Sequence, residues 1–456
     1  MTILNTTALL ESILEKARKK GADHAAAVLM EDNVGAIRFA ANRITQHKTH
    51  QNTSLTLAVA VEGKESVIQT NLLQNDNLDE LVNKAILFAQ NAPINPEFFE
   101  PVSPQKYENT NAWFESTAQL DIDSRADIVK TICDLGEAGD VNIYGNLYVT
   151  EKSKAVANTK GLFAEQPSTE ISISLSTRTR RHDGSSQAHL WEGDWNRFHY
   201  LDTVERSIRI AKQSAEPRYQ EPGTYTVILS PKALSEYLMF LLFAMDAREA
   251  DKGHSFFGKS SNNSRLGDKC FKDSISIKSV VNHPELPTLK FGNAGGSGGS
   301  YAGNFFSMGL PMKTIEWIKE GAIQNFQHSP YYARIKNIDP IAYPKNLFMP
   351  GGTFSVEDLV TGVNKGLLIE SFWYVNPIDW NRLELTGLTR DGVFWIENGE
   401  IRYPVNNFRF NDSPINSLNR ITGMTPAIKT YGEYWPGLFP WVRIDGFHLS
   451  SVSHAV

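Results

Sequence analysis

From Tyr237 to Met245 the chain reads Tyr-Leu-Met-Phe-Leu-Leu-Phe-Ala-Met, with no charged side chain. Ser230-Pro231 stands just upstream and marks a helix start, because serine caps the free N–H groups and proline loses nothing at the first helical position. A helix that is apolar on nearly every side has to lie inside a domain. This stretch is about nine residues long, and a membrane span needs about twenty. The chain therefore has to build a core around it. With 456 residues, 41% of them hydrophobic, there is enough apolar material to do so.

The segment before this helix reads as an α/β unit. Leu9, Leu10, Ile13, Leu14 and Ala17 follow the helical period, and Gly21 suits the C-terminal cap. Three short strands are expected at residues 27–30, 36–40 and 54–61, then a helix opening at Asn77 with Glu80 completing a capping box and stopping near Pro93. Residues 93–118 form a proline-bearing connector. A second α/β stretch follows, with a helix around Ile128 to Leu135, a strand around Ile171 to Leu175 and a helix from Asp202 to about Ala215. Pro217 and Pro222-Gly223 mark a boundary, so the expected division is residues 1–220 and 221–456. Beyond Tyr225 to Leu229 and the apolar helix the chain is mostly strand-like, with a hairpin at Asn398-Gly399. The fold class is thus α+β, an N-terminal α/β domain followed by a β-rich C-terminal domain.

The net charge of −6 argues against a nucleic-acid binder, and the amphipathic N-terminus has no signal-peptide pattern, so a soluble, cytoplasmic chain without a membrane segment is expected. Two distant cysteines, Cys133 and Cys270, form neither a disulfide framework nor a metal motif. No His-Glu-x-x-His and no phosphate-binding loop is present. Four polar residues, Asp246, Glu249, Asp251 and His254, follow the apolar helix. Asp246 and Glu249 are expected on one face of a helix that runs to Asp251 and ends at Gly253. They could hold a metal or shuttle protons, or could be a solvated helix end. The glycine-rich run containing Gly296 and Gly298 reads as a mobile loop able to edge a groove. The aromatic C-terminal third, including Trp373 and Trp395, could pack a core or line a groove for an extended peptide.

The order of several motifs goes further. Leu14-Glu15-Lys16-Ala17 with Gly21-Ala22-Asp23, the run Glu221-Pro222-Gly223-Thr224-Tyr225 through Ser230-Pro231, Gly309-Leu310-Pro311 leading to Ile318-Lys319-Glu320-Gly321, and Thr386-Gly387 followed by Ile396-Glu397-Asn398-Gly399-Glu400-Ile401 resemble the TldD/PmbA family along nearly the whole chain. The resemblance implies a peptidase system that cuts unfolded or extended peptides, in which one subunit carries zinc on His-Glu-x-x-x-His in the helix after the Pro-Gly strand. The family's histidine slots fall near Leu238 and Phe243 here, and no histidine lies between His199 and His254. Apolar side chains cannot ligate zinc. The family's C-terminal cysteine ligand has no counterpart, since no cysteine follows Cys270. The resemblance is to the PmbA or TldE side: no metal or cofactor in this chain, zinc only in a partner subunit, and pairing either with that zinc-bearing relative or with itself. A non-enzymatic peptide-binding homodimer, or an enzyme using the polar cluster, are the alternatives. An older family label, modulator of DNA gyrase, finds no support in the charge balance.

Overall fold

The computed structural model describes residues 6–260, 262–296, 301–432 and 436–453. Its N-terminal part is one supersecondary unit built twice. The first copy is helix α1 (Thr6–Lys19), strands β1 (His24–Ala40), β2 (Arg43–Val61) and β3 (Lys64–Thr70), and helix α2 (Asn75–Asn91). A short turn of helix, α3 (Glu115–Ala118), leads into the second copy: α4 (Ile122–Ala138), β4 (Val141–Asn158), β5 (Phe163–Thr179), β6 (Ser185–Glu192) and α5 (Tyr200–Gln213). The copies join through antiparallel pairing of β1 with β4, giving a six-stranded sheet in the order β3-β2-β1-β4-β5-β6.

Strict alternation decides what each face of this sheet meets. Ala25, Ala27, Leu29, Leu55 and Leu57 turn towards α1 and α2, and Ile37, Phe39, Ile143 and Ile173 pack with Ile128 and Ile132 of α4. The other face carries Ala26, Val28, Ala58, Ala60 and Val156, and is covered by Phe291, Ala294, Ala302, Phe306 and Ala342 from the C-terminal part. The sheet is therefore a slab between its own helices and the second half of the molecule.

The three short strands expected between residues 27 and 61 are two long ones. Polar stretches such as Glu31 to Gly35 break the hydrophobic pattern, but β1 is hydrogen-bonded to β2 on one side and β4 on the other throughout them. A backbone satisfied on both sides stays extended whatever its side chains are. Helix α2 starts at Asn75, before the anticipated capping box, and its N-cap residue Gln74 makes no side-chain bond.

In the C-terminal part, strand β7 (Gly223–Leu229) lies between the parallel strand Lys365–Asp379 and the antiparallel strand Val442–Ser453. The latter pairs with Asn407–Asp412, which pairs with Glu384–Glu397, which returns to Lys365–Asp379. The ladder closes on itself as a barrel-like ring. The Asn398-Gly399 turn joins Glu384–Glu397 to Glu400–Pro404 as expected, both residues having positive φ. Helix α6 (Pro231–Ala244) packs on this ring, capped by Ser230, whose side chain accepts from the Ala233 N–H. Tyr237 sits among Phe372, Phe410 and Phe447 with ring centroids 6.1, 5.9 and 6.0 Å away. No helix of the described residues is long and apolar enough to cross a membrane.

A candidate peptide groove at the end of helix α6

The helix expected to continue to Asp251 stops at Ala244, and a second short helix, α7 (Ala247–Asp251), begins after a break. The break has a distant cause. Gln327 inserts between the two helices: its N–H donates to the Met245 carbonyl at 2.8 Å and its carbonyl accepts from the Ala247 N–H at 2.9 Å. Its side-chain amide also donates to the Leu242 carbonyl, and its side-chain oxygen accepts from the Tyr343 hydroxyl at 2.5 Å. A single glutamine thus satisfies the free ends of α6 and opens the chain at the point where α6 reaches the surface.

Two connected hollows meet there. One, of about 520 Å³, is lined by Leu242, Phe243, Ala294, Gly295, Tyr343 and Lys345, and by Trp191 reaching across from β6. The other, of about 320 Å³, is lined by Asp246, Glu249, His254, Ser255 and Trp380. Phe243, Gly296 and Gln327 belong to both, so the two form arms of one groove. Gly296 has φ +91°, and a Cβ there would stand 2.4 Å from the Ser329 backbone nitrogen. Only glycine fits this position without displacing backbone. The glycine-rich run is flanked by a strand at Phe291–Gly292 and a helix at Tyr301–Phe306. Gly298 lies outside the described residues.

The structure separates the four polar candidates. Asp246 caps α7, accepting from the Glu249 N–H at 3.0 Å, so the two do not share a helix face. Glu249 and His254 are paired, Oε2 to Nδ1 at 3.1 Å. Burial alone would raise the Glu249 carboxyl, but His254 and Lys252 outweigh it and hold it below the ordinary carboxylate range. Asp251 turns away from the groove, accepting from the Tyr332 hydroxyl at 2.6 Å and pairing with Lys336. Burial, then Asp251, push the Tyr332 phenol above its usual range. Three of the four therefore line the groove, each with a local partner.

Of the two family histidine slots, Leu238 is 0% exposed in the core and Phe243 is 41% exposed in the groove. Neither side chain offers a lone pair, so these positions do not fit zinc. Among the described residues no three His, Cys, Asp or Glu side chains gather closely enough to hold a metal ion. Trp395, read as a groove candidate, is only 6% exposed and meets Tyr225 edge-on, a core contact. Trp373 is 42% exposed with Arg390 4.5 Å above its ring, on the arm of Lys365–Asp379 rather than in either hollow. Sequence reading missed Gln327, Tyr343 and Trp191, which no local motif marks.

A family model described as the PmbA/TldA metallopeptidase C-terminal domain matches residues 222–451, half of the chain. The chain belongs to the PmbA/TldD family. A second model, for the central domain of the same family, matches residues 115–215, which is the second copy of the repeated unit together with α3. Three solved structures are similar over the full length. A protein from Bacteroides thetaiotaomicron labelled a modulator of DNA gyrase has 17% identity and a TM-score of 0.83, covering 99% of this chain and 100% of its own. One from Thermotoga maritima with the same label has 17% identity and a TM-score of 0.81, covering 98% and 100%. TldE from Thermococcus kodakarensis has 14% identity and a TM-score of 0.83, covering 97% and 100%. Identities this low establish a shared fold and nothing finer. No curated protein matches the chain by sequence.

Proposed function

We propose that this chain is the subunit without zinc in a PmbA/TldD-type peptidase system, and that the groove at the end of α6 forms part of the chamber that admits unfolded or extended peptides. The observation that carries this reading is Phe243. The helix that bears zinc ligands in active relatives ends at the groove, and an exposed aromatic ring stands where a ligand would be. The ring, Trp191 and Trp380 give an apolar lining, while Gln327 and the backbone of 293–296 supply a few polar groups, the mixture expected of a ligand cleft. The partner is a zinc-bearing relative, and the site of action is cytoplasmic. Mixing the purified chain with such a relative should give cleavage of an unfolded peptide, while this chain alone should give none. Stoichiometric zinc on the lone chain, measured by elemental analysis after dialysis, would overturn the assignment.

The Glu249–His254 pair supports one other reading, an independent polar centre in the smaller hollow. Activity of the lone chain that disappears in both Glu249→Ala and His254→Ala would favour it over the first.

A further inference from the structure

Strand β2 has a free side. All of it pairs with β1, but β3 reaches only its last residues, Leu55 to Val61. Between Arg43 and Thr53 the outer edge is left open, and the side chains there are exposed or half-buried, apart from none that a neighbouring strand covers. The ladder decides which groups this edge offers. The Ala25 carbonyl turns to the β4 side, where it accepts from the Thr159 N–H at 2.9 Å, so the even positions of β1 point at β2. Val34 pairs with His50 and Ala36 with Lys48, so the even positions of β2 point back. His47, Thr49, Gln51 and Thr53 therefore turn N–H and C=O outward, and no backbone partner among the described residues meets them. An open edge of this length is a template for another strand.

The edge shares a face with the groove. Lys48 pairs with Ala36, Ala36 with Tyr148, Tyr148 with Ser172 and Ser172 with Trp191, which lines the larger hollow. Paired residues lie on one face, so this row runs from edge to groove over four strand spacings, about 19 Å. The C-terminal part covers the Trp191 end, where Lys429 stands 5.0 Å over the ring. Towards the edge the face is open: Tyr148 is 41% exposed, and Arg38 and Lys48 are exposed. Tyrosine and arginine are enriched where folded proteins meet. A lone peptide would satisfy the edge and leave this face bare, whereas a folded subunit covers both.

Charge says what the incoming strand carries. From Arg43 to Ser54 the sequence holds Arg43, His47, Lys48 and His50 and no carboxylate. Asp32 stands 3.9 Å from His50, and no ion pair holds Lys48 among the described residues. Antiparallel pairing of this edge with a second copy sets Lys48 opposite or diagonal to the other Lys48, and like charges so placed are destabilising. A strand with carboxylates at those positions meets no such penalty.

We infer that the outer edge of β2 receives a carboxylate-bearing strand of the zinc-bearing subunit, which extends the six-stranded sheet across the contact. The inference rests on the paired-subunit reading and says where the partner sits: along 47–53, over Tyr148 and Arg38, with the groove opening beside it.

The test is sedimentation velocity of the full chain, alone and titrated with a PmbA/TldD chain that carries His-Glu-x-x-x-His. A one-to-one complex should form and weaken as salt rises. Thr49→Pro removes an outward N–H and no bond to β1, so the melting temperature should hold while the complex weakens about tenfold or more. If Thr49→Pro does not fold, Lys48→Glu, an exposed charge reversal, should weaken the complex about fivefold or more at low salt and much less at high salt. A complex indifferent to both variants overturns the docking edge and leaves the paired-subunit reading intact. A complex that Lys48→Glu tightens overturns the carboxylate-bearing strand. A dimer of the chain alone that Thr49→Pro abolishes makes a second copy the occupant and overturns the inference. No complex with the zinc-bearing chain overturns the paired-subunit reading and this inference with it.

Discussion

The middle and the C-terminal end of helix α6 meet different surroundings although their composition is nearly the same. In the middle Tyr237 is fully enclosed by Phe372, Phe410 and Phe447, and its hydroxyl reaches Ser417 at 3.2 Å. At the end, Phe243 leans into an open groove and touches Phe240 edge-on. The middle of the helix is where the barrel-like ring obtains its core, and the C-terminal end is where the helix meets the groove.

The sharpest way to test the contrast is to empty both places. Tyr237→Ala should cost about 3–5 kcal/mol in denaturant unfolding, since a large enclosed ring is lost with little room to collapse. A change much below that would mean the ring interior is not the main source of stability.

A second test uses acid near the start of α6. Burial, and then Lys232 in the first turn of α6, lower the His189 imidazole from 6.5 to about 4. The unfolded chain therefore binds a proton between those values that the folded chain refuses. This contribution is fully present above about pH 6.5 and is lost as pH falls towards 4, at most about 3 kcal/mol. His189→Gln should flatten that part of the stability profile, read from melts across the range.

At the groove, Gly296→Ala should cost roughly 1–3 kcal/mol through its positive φ and the contact with Ser329, and should weaken peptide binding. Phe243→Ala should be the mildest, about 1 kcal/mol or less, because so much of the ring is already exposed. Its binding defect should exceed its stability defect. The reverse would place Phe243 in the core with Tyr237.

Much of this was legible in the residues. The periods of α1, α4 and α5, the Ser230-Pro231 start and the Asn398-Gly399 turn are local signals, and each stands where its chemistry puts it. The extent of β1 and β2 was not, because pairing on two sides overrides a polar side-chain pattern. Nor was the break between α6 and α7: nothing in Met245-Asp246-Ala247 stops a helix, and its cause, Gln327, comes from far along the chain. The site was partly visible, as Glu249, His254 and Phe243 do line it. Its far wall was not, because Tyr343 and Lys345 come from a segment about a hundred residues beyond α6 and Trp191 is brought there by the packing of the N-terminal half on the C-terminal half.

The closed ring of strands sets a schedule for the growing chain. Ser230, just past β7, bonds to Glu370 across 140 residues, and Thr226 within β7 bonds to Asp445 across 219. At synthesis rates of about 5–20 residues per second, β7 waits roughly 10–40 s for its second neighbour. During that interval α6, the most apolar of the described helices, has been made, and the strand carrying Phe447, one of the rings that enclose Tyr237, has not. A nascent chain of this design has to be sheltered from its neighbours, and the late strands, not the early ones, decide when it becomes safe to release.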